Sequence, residues 1–169
     1  MDLIGILLNT VGNPYLYSIL FFLYVISASI FLPIPVEIGL FNPYIHPAVL
    51  ITILAIGNGC GSLIVFYIGT GVRKTAKKRW ALKSQGIKQI VTSFENFVKK
   101  HGSVGLYVFM SIPLMVDTLP LYFFSILNAE ENGKRTLSKK KFVLINILAG
   151  ATRGTIVIVV YTILKIKLT

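Results

Sequence analysis

The chain has 169 residues, of which 54% are hydrophobic and only 14% charged, with a mean hydropathy of +0.76. Ordinary soluble domains are about one quarter charged, so this balance points to an integral membrane protein with no room for a separate soluble module. The net charge of +11 argues for a membrane surface rather than nucleic acid once its distribution is read. Residues 1–72 hold no Lys or Arg, residues 73–100 hold nine and residues 134–141 hold five. That clustering is the positive-inside pattern, and it marks both basic segments as cytoplasmic in a protein of the plasma membrane.

In chain order, residues 1–13 read as a short interfacial helix. The small residues Ser27, Ala28 and Ser29 resemble a signal-peptide site, but the basic n-region that a signal peptide needs is missing. Residues 15–42 are expected to form a first hairpin entering from the outside. Pro33 and Pro35 break the apolar run, a short limb reaches Phe41, and the turn-rich "NPYIHP" follows. The 18 residues from Tyr15 to Leu32 are also enough for a full span, so both topologies stay open.

Residues 48–70 and 142–164 are each 23 residues long. As helices they reach roughly 35 Å, enough to cross a hydrocarbon core of about 30 Å with some tilt. Between the halves, residues 73–101 form a basic segment. Within it, Trp80–Val98 carries Ile87, Ile90, Val91, Phe94, Phe97 and Val98 at helical spacing, as an amphipathic helix on the cytoplasmic surface or packed on the protein does. Residues 103–128 are apolar but interrupted by Pro113, Asp117 and Pro120. Each limb covers only about 12 to 15 Å as a helix, and basic sequence lies on both sides. The economical reading is a second, re-entrant hairpin from the cytoplasm, whose freed backbone groups must be buried in protein or face a wet cavity.

The halves also echo each other. Pro33-Ile34-Pro35-Val36-Glu37 matches Pro113-Leu114-Met115-Val116-Asp117, and the pair Gly57 and Gly61 matches Gly150 and Gly154. One hairpin plus one crossing per half places the halves in opposite orientations, the inverted repeat of secondary transporters with a midplane site. The expected fold is therefore all-α: an inverted repeat of hairpin plus transmembrane helix.

Only Glu37, Asp117 and Arg153 are ionisable within the apolar segments. A charged group at the bilayer centre costs at least ~2.5 to 3.5 kcal/mol on insertion scales, so these three must face the interior. Pairing Arg153 with one carboxylate leaves the other free to bind a proton. Asn58, like Arg153, falls near mid-depth of its span. The two G-x-x-x-G spacings read first as helix packing, and the eight tyrosines as interface anchors and packing. No catalytic constellation, nucleotide fingerprint, metal-ligand cluster or cofactor motif is present: His46 and His101 lie in separate loops, and the single Cys60 excludes an internal disulfide. An enzyme is not expected.

At "FLPIPVEIGL" (31–40), "AIGNGCGSLIVFYIG" (55–69) and "KKHGSVGLYVFMSIPLMVDTLP" (99–120) the chain resembles the DedA superfamily, also called VTT or SNARE-associated domain proteins, and most closely its YqaA-like branch. The resemblance covers about Phe31 to Tyr161. It implies two opposed re-entrant hairpins and the movement of membrane lipids or lipid carriers such as polyprenyl phosphate, in some members driven by protons. Glu37 then matches the acidic residue of the first hairpin and Asp117 that of the second. The chain departs from the family in having Met110 and Ser111 where many members carry arginine, and Asn58 where the main branch carries aspartate; Arg153 is then the candidate to replace the positive charge. The expected function is a flippase-like transporter of a lipid or lipid-linked phosphate, coupled to protons, with a homo-oligomer compatible with the sequence. The alternatives are a small multidrug exporter and a non-transporting membrane scaffold that recruits partners through its basic helix.

Overall fold

A computed structural model of the protein describes residues 3–31, 35–80, 96, 100–128, 130, 131, 134, 135 and 137–167. The chain folds in the order α1 (Leu3–Asn9), α2 (Pro14–Ile30), a 3-10 segment η1 (Val36–Leu40) and α3 (Pro47–Trp80). Helical residues 100–111 (α4), α5 (Thr118–Leu127) and α6 (Lys139–Lys167) complete it. The described strands are a two-residue antiparallel ladder, Glu130–Glu131 with Lys134–Arg135. The architecture is helical, and among the described residues two helices are long and apolar enough to cross a membrane, over Pro47–Val72 and Lys139–Leu164.

Local chemistry sets the helix ends. Pro14 stands in the first turn of α2, where its missing N–H costs nothing, and the Asn13 side chain accepts from the Leu16 amide at 3.2 Å. No proline interrupts the sequence between Ala48 and Trp80, so α3 continues past the expected limit at Thr70 to Trp80. Hydropathy marks where lipid ends, whereas Lys, Arg and Ala are good helix formers and let the helix run on. The expected amphipathic helix Trp80–Val98 lies outside the described residues except Trp80, which closes α3, and Asn96, which is helical.

Pro120 requires a correction. It sits in the first turn of α5 rather than in the break, which spans residues 112–117 between the end of α4 and Thr118. The first amides of a helix have no intrahelical partner, so proline is tolerated there.

The two long helices pack antiparallel. Gly59 faces Ile147, Gly150 faces Ala55 and Asn58, and Gly154 faces Ile51 and Leu54, so the contacts advance along one chain as they retreat along the other. At one end Lys139 Nζ donates to Tyr67 Oη at 2.8 Å. The basic run beginning at Arg73 on α3 and the lysines 139–141 opening α6 therefore share one end of the bundle.

The broken segments pack on this pair. Gly57 faces Val25 and Gly61 faces Ser29, so α2 runs parallel to α3 and stops beside its middle. The chain then doubles back along α2: Tyr24 Oη donates to the Pro35 carbonyl (3.2 Å), Tyr17 Oη to Gly39 (2.9 Å), and Asn42 Nδ2 to Val11 (3.2 Å). α5 starts next to the end of α2, where Thr118 Oγ1 donates to the Ala28 carbonyl at 2.8 Å. It then runs with α3 toward the basic end, where Ser125 Oγ donates to the carbonyls of Val65 (3.1 Å) and Phe66 (3.3 Å).

Apolar clusters close both ends of the bundle. Phe66, Leu106, Leu121, Phe124 and Phe142 belong to the cluster at the basic end, and Tyr17, Phe21, Leu40, Leu50 and Leu54 to the other. Outside, the polarity is reversed relative to a soluble protein. On α6, Leu144, Leu148, Val159 and Ile163 are exposed while Asn146 and Arg153 are fully buried. An exposed apolar stripe of this kind is compatible with a helical membrane protein whose outer face meets lipid.

Candidate functional site

The two breaks bring their backbone to the same place, between the apolar clusters. At the first, α2 ends at Ile30 because the following prolines remove the donors a helix needs. At the second, α4 ends at residue 111, since a residue before proline avoids the helical region. Leu114 then adopts φ 60, a conformation that costs an L-residue roughly 1 to 2 kcal/mol. That turn aims the Leu114 amide at Glu37 Oε1, 2.9 Å away.

Glu37 on η1, Asp117 before α5 and Arg153 on α6 meet there, with exposures of 2%, 5% and 0%. The guanidinium grips Asp117 with both terminal nitrogens: Nη2 donates to Oδ2 at 2.8 Å, and Nη1 donates to Oδ1. This is the bidentate fork that makes Arg–carboxylate pairs strong and directional. Asp117 flanks α5 at its N-cap position but makes no side-chain capping bond; its carboxylate serves Arg153 instead. Glu37 is held more loosely. Its Oε1 lies 3.4 Å from Arg153 Nε, an ion pair that is not a hydrogen bond, and its Oε2 has no partner.

Two carboxylates and one guanidinium carry one surplus negative charge, and desolvated charges are tolerable only when compensated.

Asn58 is 1% exposed and faces Gly150 across the seam of α3 and α6, with neither amide atom partnered. Of the break prolines, Pro35 gives its carbonyl to Tyr24, Pro113 sits half-buried in the second break, Pro120 is buried in α5 and Pro33 lies outside the described residues. The glycines serve the helix seams. Gly57 and Gly61 seat α2 on α3, and Gly150 and Gly154 seat α3 on α6.

Several polar groups escaped the sequence reading. Asn146 is fully buried; its Nδ2 donates to the Phe142 carbonyl at 2.7 Å and its Oδ1 is unpartnered. It precedes Gly150 by four residues and Arg153 by seven, a one-face spacing that was there to be read. Ser111 Oγ, also buried and unpartnered, had no such signal. Nor did the bond of Tyr24: read among tyrosines that anchor or pack, it is buried and donates to the Pro35 carbonyl of the break.

Comparison with protein-family models, with curated proteins and with solved structures finds no match. Among the described residues no group of three or more His, Cys, Asp and Glu is placed to hold a metal ion.

Proposed function

We propose that the protein is a proton-coupled transporter that moves a lipid or lipid-linked carrier across the plasma membrane, as a member of the DedA superfamily. In this reading both broken segments are re-entrant hairpins in an inverted repeat, and the basic segments 73–100 and 134–141 face the cytoplasm. The observation that carries it is the Glu37–Arg153–Asp117 cluster. Ionisable groups within membrane-spanning bundles mark substrate and proton pathways, and transporters assemble them where discontinuous helices meet. Asp117 and Arg153 form the fixed half, and Glu37, with one free oxygen, is the group that takes up and releases the proton. Asn58, buried on the seam of α3 and α6, supplies neutral hydrogen-bonding capacity within the bundle.

The experiment is transport in proteoliposomes. Dithionite quenching of NBD-labelled phosphatidylethanolamine under an imposed pH gradient should report wild-type movement that Glu37→Gln and Asp117→Asn abolish, with unchanged gel-filtration profiles. Unchanged transport in both variants removes the coupling role. A small drug exporter is the second reading, favoured by the surplus negative charge of the cluster, which suits a cationic substrate. Ethidium movement without lipid movement would select it.

A further inference from the structure

We infer that the groove between α3 and α6 at the basic end of the bundle is a binding site for one anionic phospholipid. Ile147 lies against Gly59 and closes the seam of the two helices there. One turn nearer the basic end the seam opens into a groove of about 340 Å³, lined by Leu63 of α3 and by Lys139, Lys140, Val143, Leu144 and Ile147 of α6. Its two parts match the two parts of a lipid. The apolar wall descends roughly 12 Å along α6 from Lys139 to Ile147, and Leu144 belongs with Leu148 to the exposed apolar stripe of that helix. At the mouth both lysines are exposed, so their stems line the groove while their ammonium groups stay at the polar boundary. Lys139 precedes Arg153 by fourteen residues, roughly 21 Å of helix, which separates this groove from the charged cluster.

The charge of the occupant follows from what surrounds the lysines. Lys139 donates to the neutral hydroxyl of Tyr67 at 2.8 Å, and among the described residues no carboxylate pairs with Lys139 or Lys140. Glu130 and Glu131 stand opposite Arg135 and Lys134 in their own two-stranded ladder. Uncompensated ammonium groups above an apolar groove suit a phosphate carried on an acyl chain, because basic pockets between membrane helices hold anionic headgroups. A zwitterionic lipid would bring a cation of its own to the same lysines. A second copy in the same orientation would bring its own basic end, and like charges oppose that pairing. Segment 81–95, with Lys83 and Lys88 against Glu95, is net positive and is disfavoured in the same way.

The site goes beyond the transport reading and does not depend on it. Native mass spectrometry of the full-length protein, released from detergent with dioleoylphosphatidylglycerol or dioleoylphosphatidylcholine, counts the lipids retained. One phosphatidylglycerol per chain is expected, held about tenfold more tightly than phosphatidylcholine. Lys139→Gln and Lys140→Gln should each weaken it about fivefold, the effect of one basic residue at an anionic surface. Lys141→Gln, at the same end of α6 but outside the groove, should weaken it much less. Val143→Phe, which fills the groove and leaves every charge, should weaken it several-fold. Glycerol phosphate in excess should not displace the lipid; displacement would make this a site for phosphate alone and overturns the lipid assignment. Equal retention of the two lipids overturns the proposal. So does a loss in Lys141→Gln equal to that in Lys140→Gln, the mark of a diffuse basic surface. Lipid-free dimers in place of a lipid-bound chain would assign the groove to a second copy and overturn it as well. If Val143→Phe does not fold, the lysine variants and the lipid comparison decide.

Discussion

The backbone amide of Leu114 donates to the carboxylate of Glu37 at 2.9 Å, across 77 positions of sequence. One break thus satisfies the acid of the other, and neither is complete alone. Because Leu114 reaches that position only with φ 60, two substitutions separate its backbone from its side chain. Leu114→Gly removes the steric penalty and should stabilise the protein by about 1 kcal/mol or leave it unchanged. Leu114→Pro deletes the N–H and forbids the positive φ, and should destabilise by more than about 2 kcal/mol. Thermal unfolding in detergent reads both.

The Arg153–Asp117 pair is fully desolvated, which makes single and double substitutions diverge. Arg153→Leu strands two buried carboxylates, and breaking a buried pair in this way typically costs about 3 to 5 kcal/mol. Asp117→Leu strands the guanidinium, leaving only the 3.4 Å contact to Glu37. The double variant Arg153→Leu/Asp117→Leu removes both partners and should recover at least half of that loss while remaining inactive. A double-mutant cycle on unfolding midpoints measures the coupling; additive effects would show that the two groups do not act as a pair.

The surface ion contacts behave differently. Lys139 donates to Tyr67 Oη at 2.8 Å and lies 5.4 Å from the centre of its ring, but the lysine is exposed. Contacts of that kind contribute about 0 to 1 kcal/mol, so Lys139→Gln should move the unfolding midpoint very little. A large loss would mean that this end of α3 and α6 is held by the lysine rather than by Phe66 and Phe142, whose rings lie 5.3 Å apart.

Much of this fold was legible in the sequence where one physical effect dominates. The apolar runs that became the middle of α3 and α6 stand out because burial from water is the only force they report, and Pro35 and Pro113 mark breaks because they lack a donor. Pro120 misled, since the same missing donor is harmless in a first turn. The end of α3 was invisible for another reason: the charge that ends a hydrophobic run at Arg73 also favours helix. Glu37, Asp117 and Arg153 could be named as a set because each is costly in lipid, but which carboxylate takes the bidentate grip depends on the turn at Leu114. No periodicity encodes that turn. Asn146 was readable from its spacing to Arg153, whereas Tyr17 and Tyr24 were not: their hydroxyls bind carbonyls of a return segment whose path is set by tertiary packing.

The seat of α2 on α3 gives the sharpest packing prediction. A methyl group on Gly61 would lie 2.5 Å from Ser29 Cβ and 3.4 Å from the Ile26 carbonyl, and one on Gly57 would lie 2.8 Å from Val25 Cγ1. Neither neighbour is a flexible chain end, so α2 must lift from α3, and the acid on η1 moves with it. Gly12 and Gly71 meet nothing within 4 Å. Gly61→Val should therefore cost about 1 to 3 kcal/mol, the usual range for overpacking, and should also abolish transport by displacing Glu37. Gly71→Ala should be neutral or slightly stabilising, because it removes only the helix penalty of glycine. Unfolding midpoints and transport measured on the same preparations test both halves of the claim. A Gly61→Val protein with wild-type transport would show that the seat of α2 does not position the acid.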